Sequence, residues 1–243
     1  MAADECLGDE ALARGGPVVR VYGWTATTVS LGSFQPITAA RDEPAIAGTA
    51  LVRRPSGGGA IVHGSDLTYA VAVPRSHPLG GRPEALYTAF HAALVDVLSE
   101  LGIAARMCPA HAPAPAGVDA FFCFDRRAEG DVVVAAPEGN SGDAKILGSA
   151  QRRLATAVVQ HGSLLLRSAT GVGTAARHPG LYDLQPAAAG VPPGELADRW
   201  LDRVARGLGG RAAREEGEFG RGRDARISCL AATYASSRWL TRR

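Results

Sequence analysis

The chain has 243 residues, of which 46% are hydrophobic and 21% charged, with 30 glycines and 15 prolines. These proportions are typical of a globular protein, and the length suits one large domain, which we expect to span residues 1–243. The formal net charge of +2 gives no global electrostatic case for binding nucleic acid or a membrane surface. No run of 18 apolar residues predicts a membrane-spanning helix.

Short β-rich runs come first along the chain. Residues 18–22, 27–31, 50–54, 60–63 and 67–73 are candidate strands. Apolar side chains then recur at three- and four-residue spacing over residues 86–101, which predicts an amphipathic helix that stops at Gly102. Prolines break regular structure in residues 109–117, so this stretch is predicted to be a loop.

The second half of the chain adds strands and then helices. Strand candidates lie at 131–134, 145–147 and 158–166, and residues 168–194 are predicted to form a long surface loop. Helical patterns surround Trp200 and Trp239, and the mixed charges of residues 211–226 indicate a solvated segment. This order favours a single α/β domain of the α+β type, built on a mixed, largely antiparallel sheet.

The cysteines and acidic residues show no pattern of a metal site or a disulfide framework. Cys6, Cys108, Cys123 and Cys229 lack CxxC spacing, which predicts free thiols and no metal. No leader pattern is visible, so we expect a cytoplasmic protein. Aromatic residues make up 6% of the chain and do not alternate with a basic stripe, which argues against a nucleic-acid groove.

Three consecutive glycines, Gly57, Gly58 and Gly59, lie between two predicted strands, after Arg54 and Ser56 and before His63. Such a run costs backbone entropy. It is typical of places where a backbone approaches a ligand or takes a positive φ with N–H groups free to donate. The run fits neither a Walker A loop nor a dinucleotide-binding loop, so a nucleotide module is disfavoured. A glycine-rich hairpin without a ligand is the alternative.

Lys145 is the single lysine beside 25 arginines. An amine can lose its proton at accessible pH, whereas a guanidinium cannot. The count therefore marks Lys145 as a position where only an amine works, with chance persistence as the alternative.

Four motifs in a fixed order resemble those of the biotin/lipoate protein ligase superfamily. Residues 53–63 are similar to its R-R-x-[ST]-G-G-x-x-x-x-H signature, and residues 22–35 to its W…vSlGy.Q strands. Residues 144–151 (A-K-I-L-G-S-A-Q) and 160–165 (Q-H-G-S-L-L) match the later motifs, so the family's lysine is Lys145. The resemblance implies a fold of the class II synthetase/biotinyl–lipoyl ligase type, without the C-terminal accessory domain of the long ligases.

Two segments resemble the ligase-like octanoyltransferases within this superfamily: residues 63–69 and the Cys-Phe pair at Cys123. The resemblance implies transfer of an octanoyl chain from acyl carrier protein, through a thioester on Cys123, to a lysine of a lipoyl-accepting domain. The acceptor would be a glycine cleavage H protein or the E2 type of a 2-oxoacid dehydrogenase, and no cofactor is implied. Two features differ from the octanoyltransferase pattern. The sequence of residues 56–59 (S-G-G-G) is closer to the form of this motif in the ligases, and residues 136–142 form an insertion between Cys123 and Lys145.

The resemblance also implies a substrate-binding set around the pair Cys123 and Lys145. This set is Arg54, Ser56, Gly57, Gly58, Gly59, His63, Gly148, Ser149, Ala150, His161 and Gly162. His63 and His161 are equally consistent with a base, a ligand contact or support of loop backbone. Cys108 is the rival nucleophile, and the other histidines receive no role.

The chemistry is consistent with this assignment. A thiolate accepts an acyl chain and yields it to an amine, and a nearby ammonium favours the thiolate. A neutral Lys145 would take a proton from the attacking amine. Two alternatives remain open: an ATP- and magnesium-dependent lipoate or biotin ligase on the same fold, and a non-catalytic acyl-binding protein.

Overall fold

The computed structural model describes residues 1–110, 121–135, 142–208, 210–213 and 224–242. The predicted loop at 109–117, the insertion at 136–142 and the charged segment at 211–226 lie mostly outside these ranges. His111 also lies outside them.

Six strands form an antiparallel sheet. In spatial order they are β1 (Val18–Tyr22), β5 (Asp66–Pro74), β9 (Ala157–Leu165), β8 (Asp143–Arg153), β7 (Val132–Ala135) and β6 (Ala105–Met107). Tyr69 on β5 pairs with Gly162 on β9, and Gly162 pairs with Ser149 on β8. This register places the predicted motifs of β8 and β9 side by side.

Three shorter strands form a second sheet. β2 (Thr28–Leu31) lies at its centre, parallel to β3 (Ala50–Arg53) and antiparallel to β4 (Ile61–His63). The predicted mixed, largely antiparallel α/β fold is therefore confirmed. The glycine run lies between β3 and β4, as the sequence indicates.

Helices cover the two faces of the large sheet. Alternate residues of β5 point to opposite faces: Tyr69 packs with α3 (Pro83–Glu100) and α5 (Pro193–Gly207), while Ala70 packs against α1 (Ala2–Arg14). Trp200 of α5 donates from Nε1 to the Phe90 carbonyl oxygen of α3 at 2.7 Å. Its ring meets that of Tyr69 edge-on, with the ring centroids 5.1 Å apart.

The prediction of a long loop at residues 168–194 is wrong in part. This stretch contains α4 (Leu181–Leu184), whose Leu181 and Leu184 are buried in the main core. The helix starts where the Tyr182 N–H donates to the Leu166 carbonyl oxygen at 2.8 Å. A Cβ on Gly180 would lie 2.3 Å from the Leu166 carbonyl carbon. This contact is non-local, so the Gly- and Pro-rich composition gave no sign of it.

Two other short elements were also not predicted, α2 (Ile37–Arg41) and β6, because three to five residues carry too little periodicity. The C-terminal helical pattern divides into α6 (Asp224–Ala235) and α7 (Ser237–Thr241), where the Ser236 hydroxyl caps α7. Among the described helices, none combines the length and apolarity needed to cross a bilayer.

Candidate active site

A cleft with about 590 Å³ of empty space, part of it open to solvent, lies where the small sheet meets the large one. Most of the predicted site residues line it, namely Arg54, Gly57, Gly58, His63, Cys123, Gly148, Ser149, Ala150, His161 and Gly162. Lys145, Ser56 and Gly59 lie directly behind this lining and contact its members.

Cys123 and Lys145 meet at one end of the cleft. Cys123 begins a short 3-10 turn, Cys123–Asp125, and Lys145 projects from β8. The Lys145 Nζ lies 3.7 Å from the Cys123 Sγ and 3.4 Å from the Cys123 carbonyl oxygen. The ammonium is therefore close enough to stabilise a thiolate directly.

Asp131, which sequence reasoning did not single out, holds the other side of this amine. Its Oδ2 lies 2.8 Å from the Lys145 Nζ, and the two side chains are 2% and 4% exposed. The Tyr87 hydroxyl and the Ala128 N–H donate to the same carboxylate at 3.0 and 2.7 Å. Asp131 lies at the start of the strand predicted at residues 131–134, and the sequence gave no other indication that it belongs to the site.

Two glycines of the predicted binding set make room for side chains. A Cβ on Gly148 would lie 2.5 Å from Lys145 Cε and 2.7 Å from its Nζ. A Cβ on Gly162 would lie 2.3 Å from Ser149 Oγ and 2.4 Å from Tyr69 Cε1. Both contacts are far shorter than van der Waals distance, so these glycines leave the space that the side chains of Lys145 and Ser149 occupy.

The glycine loop is joined to the cysteine segment by hydrogen bonds. The Ala60 N–H donates to the Phe121 carbonyl oxygen, and the Cys123 N–H donates to the Ala60 carbonyl oxygen, each at 2.8 Å. A Cβ on Gly59 would lie 2.8 Å from the Cys123 nitrogen, so only glycine permits this approach. The loop thus positions Cys123.

Arg54 holds the loop from inside. Its guanidinium donates to the carbonyl oxygens of Ser30, Gly57 and Gly59 at 2.8, 2.9 and 2.6 Å. Burial lowers the pKa of Arg54 to about 10, against the opposing charge of Cys123, so the group stays cationic at neutral pH. Gly58 takes a φ of +95°, a region that favours glycine. Within the described residues, the N–H groups of Gly57 and Gly58 donate to no protein acceptor.

His63 lies between a hydroxyl and a carboxylate on the cleft wall. Its Nδ1 is 2.8 Å from Asp66 Oδ2 and its Nε2 is 2.8 Å from Ser30 Oγ. Burial alone would raise the pKa of Asp66, but the bond and charge of His63 and the donors Ser163 and Gly64 outweigh it and lower that pKa. Asp66 is therefore a carboxylate that accepts from Nδ1–H, and whenever the ring is neutral its Nε2 accepts from the Ser30 hydroxyl.

His161, the other histidine of the predicted set, has a different environment. Its Nε2 lies 2.5 Å from the Ser56 hydroxyl oxygen. Burial lowers the pKa of His161 to about 4, although the charge of Asp4 opposes this. The imidazole is therefore neutral at physiological pH.

His91, to which the sequence gave no role, supports the site from the core. Its Nδ1 donates to the Gly130 carbonyl oxygen at 2.7 Å, so its Nε2 accepts from the Ser149 hydroxyl at 2.7 Å. Burial lowers the pKa of His91 to about 3, which keeps this ring neutral. His91 thereby fixes Ser149 and the residue before Asp131.

The remaining cysteines differ from Cys123 in setting. Cys108 is 5% exposed, and burial raises the pKa of its thiol, which disfavours the nucleophilic thiolate. Cys6 is buried and Cys229 is exposed on α6. Of the four, Cys123 alone lines the cleft described here.

These motifs and this geometry define the class of the protein. The model of the lipoyl protein ligase A/B catalytic domain matches residues 1–177. The chain belongs to this family, which confirms the superfamily that the motifs predict.

Curated relatives within the family are named octanoyltransferase LipM. The one from Macrococcus caseolyticus is 35% identical over 176 residues, covering 68% of this chain and 60% of its own length. The one from Symbiobacterium thermophilum is 36% identical over 175 residues, with the same two shares. The chain therefore spans about 60% of the length of the curated relatives it matches.

Solved structures share the fold. A putative lipoate protein ligase from Thermoplasma acidophilum with bound lipoic acid is 20% identical, with a TM-score of 0.66 over 99% of this chain and 94% of its own. A lipoate-protein ligase A bound with ATP is 19% identical, with a TM-score of 0.67 over the same two shares. At this identity the likeness establishes the shared fold.

Proposed function

We propose that this chain transfers an octanoyl group from acyl carrier protein to a lysine of a lipoyl-accepting domain, through a thioester on Cys123. The observation that carries the proposal is the 3.7 Å separation of Cys123 Sγ and Lys145 Nζ in a cleft. The relatives named octanoyltransferase support the same reaction.

In the first half-reaction the Cys123 thiolate attacks the carbonyl carbon of the octanoyl thioester. A carbon–sulfur bond forms to Cys123, the bond to the carrier breaks, and the carrier sulfur leaves as a thiolate that takes a proton from solvent. Lys145 lies beside the attacking sulfur. Gly57 and Gly58 line the cleft, and their N–H groups, which have no acceptor among the described residues, would donate to the negative oxygen of the tetrahedral intermediate.

In the second half-reaction the acceptor amine attacks the acyl-Cys123 thioester. An amide forms, the carbon–sulfur bond breaks, and the sulfur returns as a thiolate beside Lys145. Trp24 and Ile61 offer apolar surface in the cleft for the hydrocarbon chain. A fold relative from Thermoplasma acidophilum is described together with its E2 lipoyl domain, and an acceptor of this kind, or a glycine cleavage H protein, fits the proposed reaction.

This route needs no nucleotide and no metal, because a thioester substrate is already activated. An ATP-dependent ligase would instead form an acyl-adenylate from the free acid, with no role for the Cys123 sulfur. The two chemistries therefore make opposite predictions about ATP and about Cys123.

The test is intact-protein mass spectrometry after mixing the chain with octanoyl-acyl carrier protein, without ATP. We expect one octanoyl group on the chain, removed by hydroxylamine and absent from Cys123→Ala but present on Cys108→Ala. Adding a lipoyl domain should move the group to the domain's lysine. Acceptor modification that requires ATP and survives Cys123→Ala would show a ligase, and acyl binding without any adduct would show a binding protein.

A further inference from the structure

Ser30, His63 and Asp66 form a hydrogen-bonded series on the wall of the cleft. The two links are each 2.8 Å, from the Ser30 hydroxyl to His63 Nε2 and from His63 Nδ1 to Asp66 Oδ2. These are the contacts of a serine–histidine–aspartate array, which is identified by geometry rather than by chain order. Ser30 comes from β2, His63 from β4 and Asp66 from β5, so the array joins both sheets.

Asp66 is held by several hydrogen bonds and thereby fixes the orientation of His63. Besides His63, it accepts from the Thr68 and Ser163 hydroxyls at 2.9 and 2.6 Å and from the Gly64 N–H at 3.0 Å. Trp24 stacks on the His63 ring at a centroid distance of 4.1 Å. The imidazole therefore has a fixed plane and a fixed tautomer, which a group that only filled space would not need.

The proposed reaction needs a base in its second half, and Lys145 is poorly placed to be that base. Its amine is ion-paired with Asp131 at 2.8 Å, and both side chains are almost wholly buried. A cation held in this way stabilises a thiolate or an oxyanion but does not accept a further proton. His161 is a weak base, because burial lowers its pKa to about 4.

Arg54 links Ser30 to the glycine loop beside Cys123, and both residues line the same cleft. The Arg54 Nη1 donates to Ser30 Oγ at 3.3 Å, and the same guanidinium holds the Gly59 carbonyl oxygen beside the Cys123 backbone. Ser30 lines the cleft but is only 1% exposed. This exposure suits the passage of a proton through a hydrogen bond and does not suit covalent attack on a carbonyl carbon.

We infer that Ser30, His63 and Asp66 are the proton relay of the transfer to the acceptor amine, an inference that rests on the proposed octanoyl transfer. The acceptor amine arrives neutral, having lost its first proton to solvent. As the carbon–nitrogen bond forms, the Ser30 oxygen takes a proton from the nitrogen and passes its own to His63 Nε2. The carbon–sulfur bond breaks, the sulfur leaves as a thiolate, and His63 then releases its proton to solvent.

The experiment compares two nucleophiles on a preformed acyl-enzyme. Wild type, Ser30→Ala and His63→Gln are first loaded from octanoyl-acyl carrier protein, with His77→Gln as a matched histidine control outside the cleft. Each acyl-enzyme is then mixed with a lipoyl domain or with hydroxylamine, and its decay is followed by mass spectrometry. Hydroxylamine is a weakly basic nucleophile, so it needs little help from a base.

For Ser30→Ala and His63→Gln we expect loading and hydroxylamine release within about threefold of wild type, while transfer to lysine falls ~10²–10⁴-fold. His77→Gln should match wild type with both nucleophiles. An equal loss with both nucleophiles would show a structural role, and wild-type transfer to lysine in either cleft variant would overturn the relay. Failure of the proposed function gives a different result, because wild type would then form no adduct on Cys123.

Discussion

Lys145 occupies a space that its neighbours shape for a linear amine. Gly148 leaves room for its side chain, Asp131 lies 2.8 Å from its Nζ, and Cys123 Sγ lies 3.7 Å away on the other side. The compact ammonium contacts both partners at once. A planar guanidinium is wider and presents its donors in a rigid fork.

Lys145→Arg should leave the chain folded, because the charge opposite Asp131 is kept. We expect the rate of octanoyl loading on Cys123 to fall ~10²–10³-fold, the size of effect seen when an electrostatic group is removed from an active site. The measurement is single-turnover loading followed by mass spectrometry, with circular dichroism to check the fold. Loading at the wild-type rate would contradict the role of the amine.

Gly148→Ala tests the same space without changing a charge. Its new Cβ would meet Lys145 Cε at 2.5 Å and Nζ at 2.7 Å, so the amine must leave its present position 3.7 Å from Cys123 Sγ. We expect octanoyl loading to fall about 10-fold or more, because a displacement of about 1 Å is costly in an active site. Gly81→Ala is the control, since a Cβ there meets nothing within 4 Å. Equal loading by both variants would argue against the contact.

The sequence identified the residues whose chemistry is rare and missed those whose role depends on position. A single lysine and a cysteine within a recognisable motif can be found by reading the chain. Asp131 is one of 24 acidic residues outside every motif, and Ser30 and Asp66 lie inside motif segments but received no role of their own. The partners of Ser30 and Asp131 lie far away along the chain, so only the sheet register brings them into contact, whereas Asp66 meets His63 three residues before it.

At the scale of elements, the site is built where the glycine loop meets the cysteine segment. Ala60 exchanges two backbone hydrogen bonds with this segment, one to Phe121 and one from Cys123. The contact joins the start of β4 to a turn more than 60 positions along the chain. A sequence pattern can predict the strand and the glycines but not the segment that approaches them.

Gly59→Ala should push these two segments apart, because its Cβ would lie 2.8 Å from the Cys123 nitrogen. We expect a loss of about 1–3 kcal/mol in the free energy of unfolding, typical of overpacking, together with slower octanoyl loading. Urea denaturation and single-turnover loading measure the two effects, again with Gly81→Ala as the control. Unchanged values for both would show that the close approach is dispensable.

The larger elements were predictable because their periodicity is long. The helix expected at residues 86–101 corresponds to α3, and the pattern around Trp200 corresponds to α5. Both bury one apolar face in the main core. The helix α4 was not predictable in the same way, since a non-local contact with Leu166 starts it.

At the scale of the whole molecule, burial of neutral imidazoles makes the fold sensitive to acid. The pKa of His91 falls from 6.5 to about 3 because the ring is buried. Below pH 6.5 the unfolded chain therefore binds a proton at His91 that the folded chain does not. The free energy of unfolding consequently falls as the pH is lowered through this window. His161 acts in the same direction.

Between pH 7 and pH 5 we expect His91 to account for a loss of about 2 kcal/mol in the free energy of unfolding. His91→Gln is the matched variant, because an amide can still donate to Gly130 and accept from Ser149. Urea denaturation of both proteins at the two pH values provides the comparison. Wild type should lose about 2 kcal/mol more than the variant, and parallel losses would contradict the assignment.

In the proposed octanoyl transfer, the burial of Lys145 also protects the protein from acylating its own lysine. An enzyme that acylates lysines carries many potential targets on its own surface. Here the sole lysine is 4% exposed and salt-bridged, and every other long basic side chain ends in a guanidinium, which does not form amides under these conditions. Under the proposed octanoyl transfer, acylation of the protein's own lysine is thereby suppressed, and the acyl group on Cys123 remains available for the lysine of the acceptor domain.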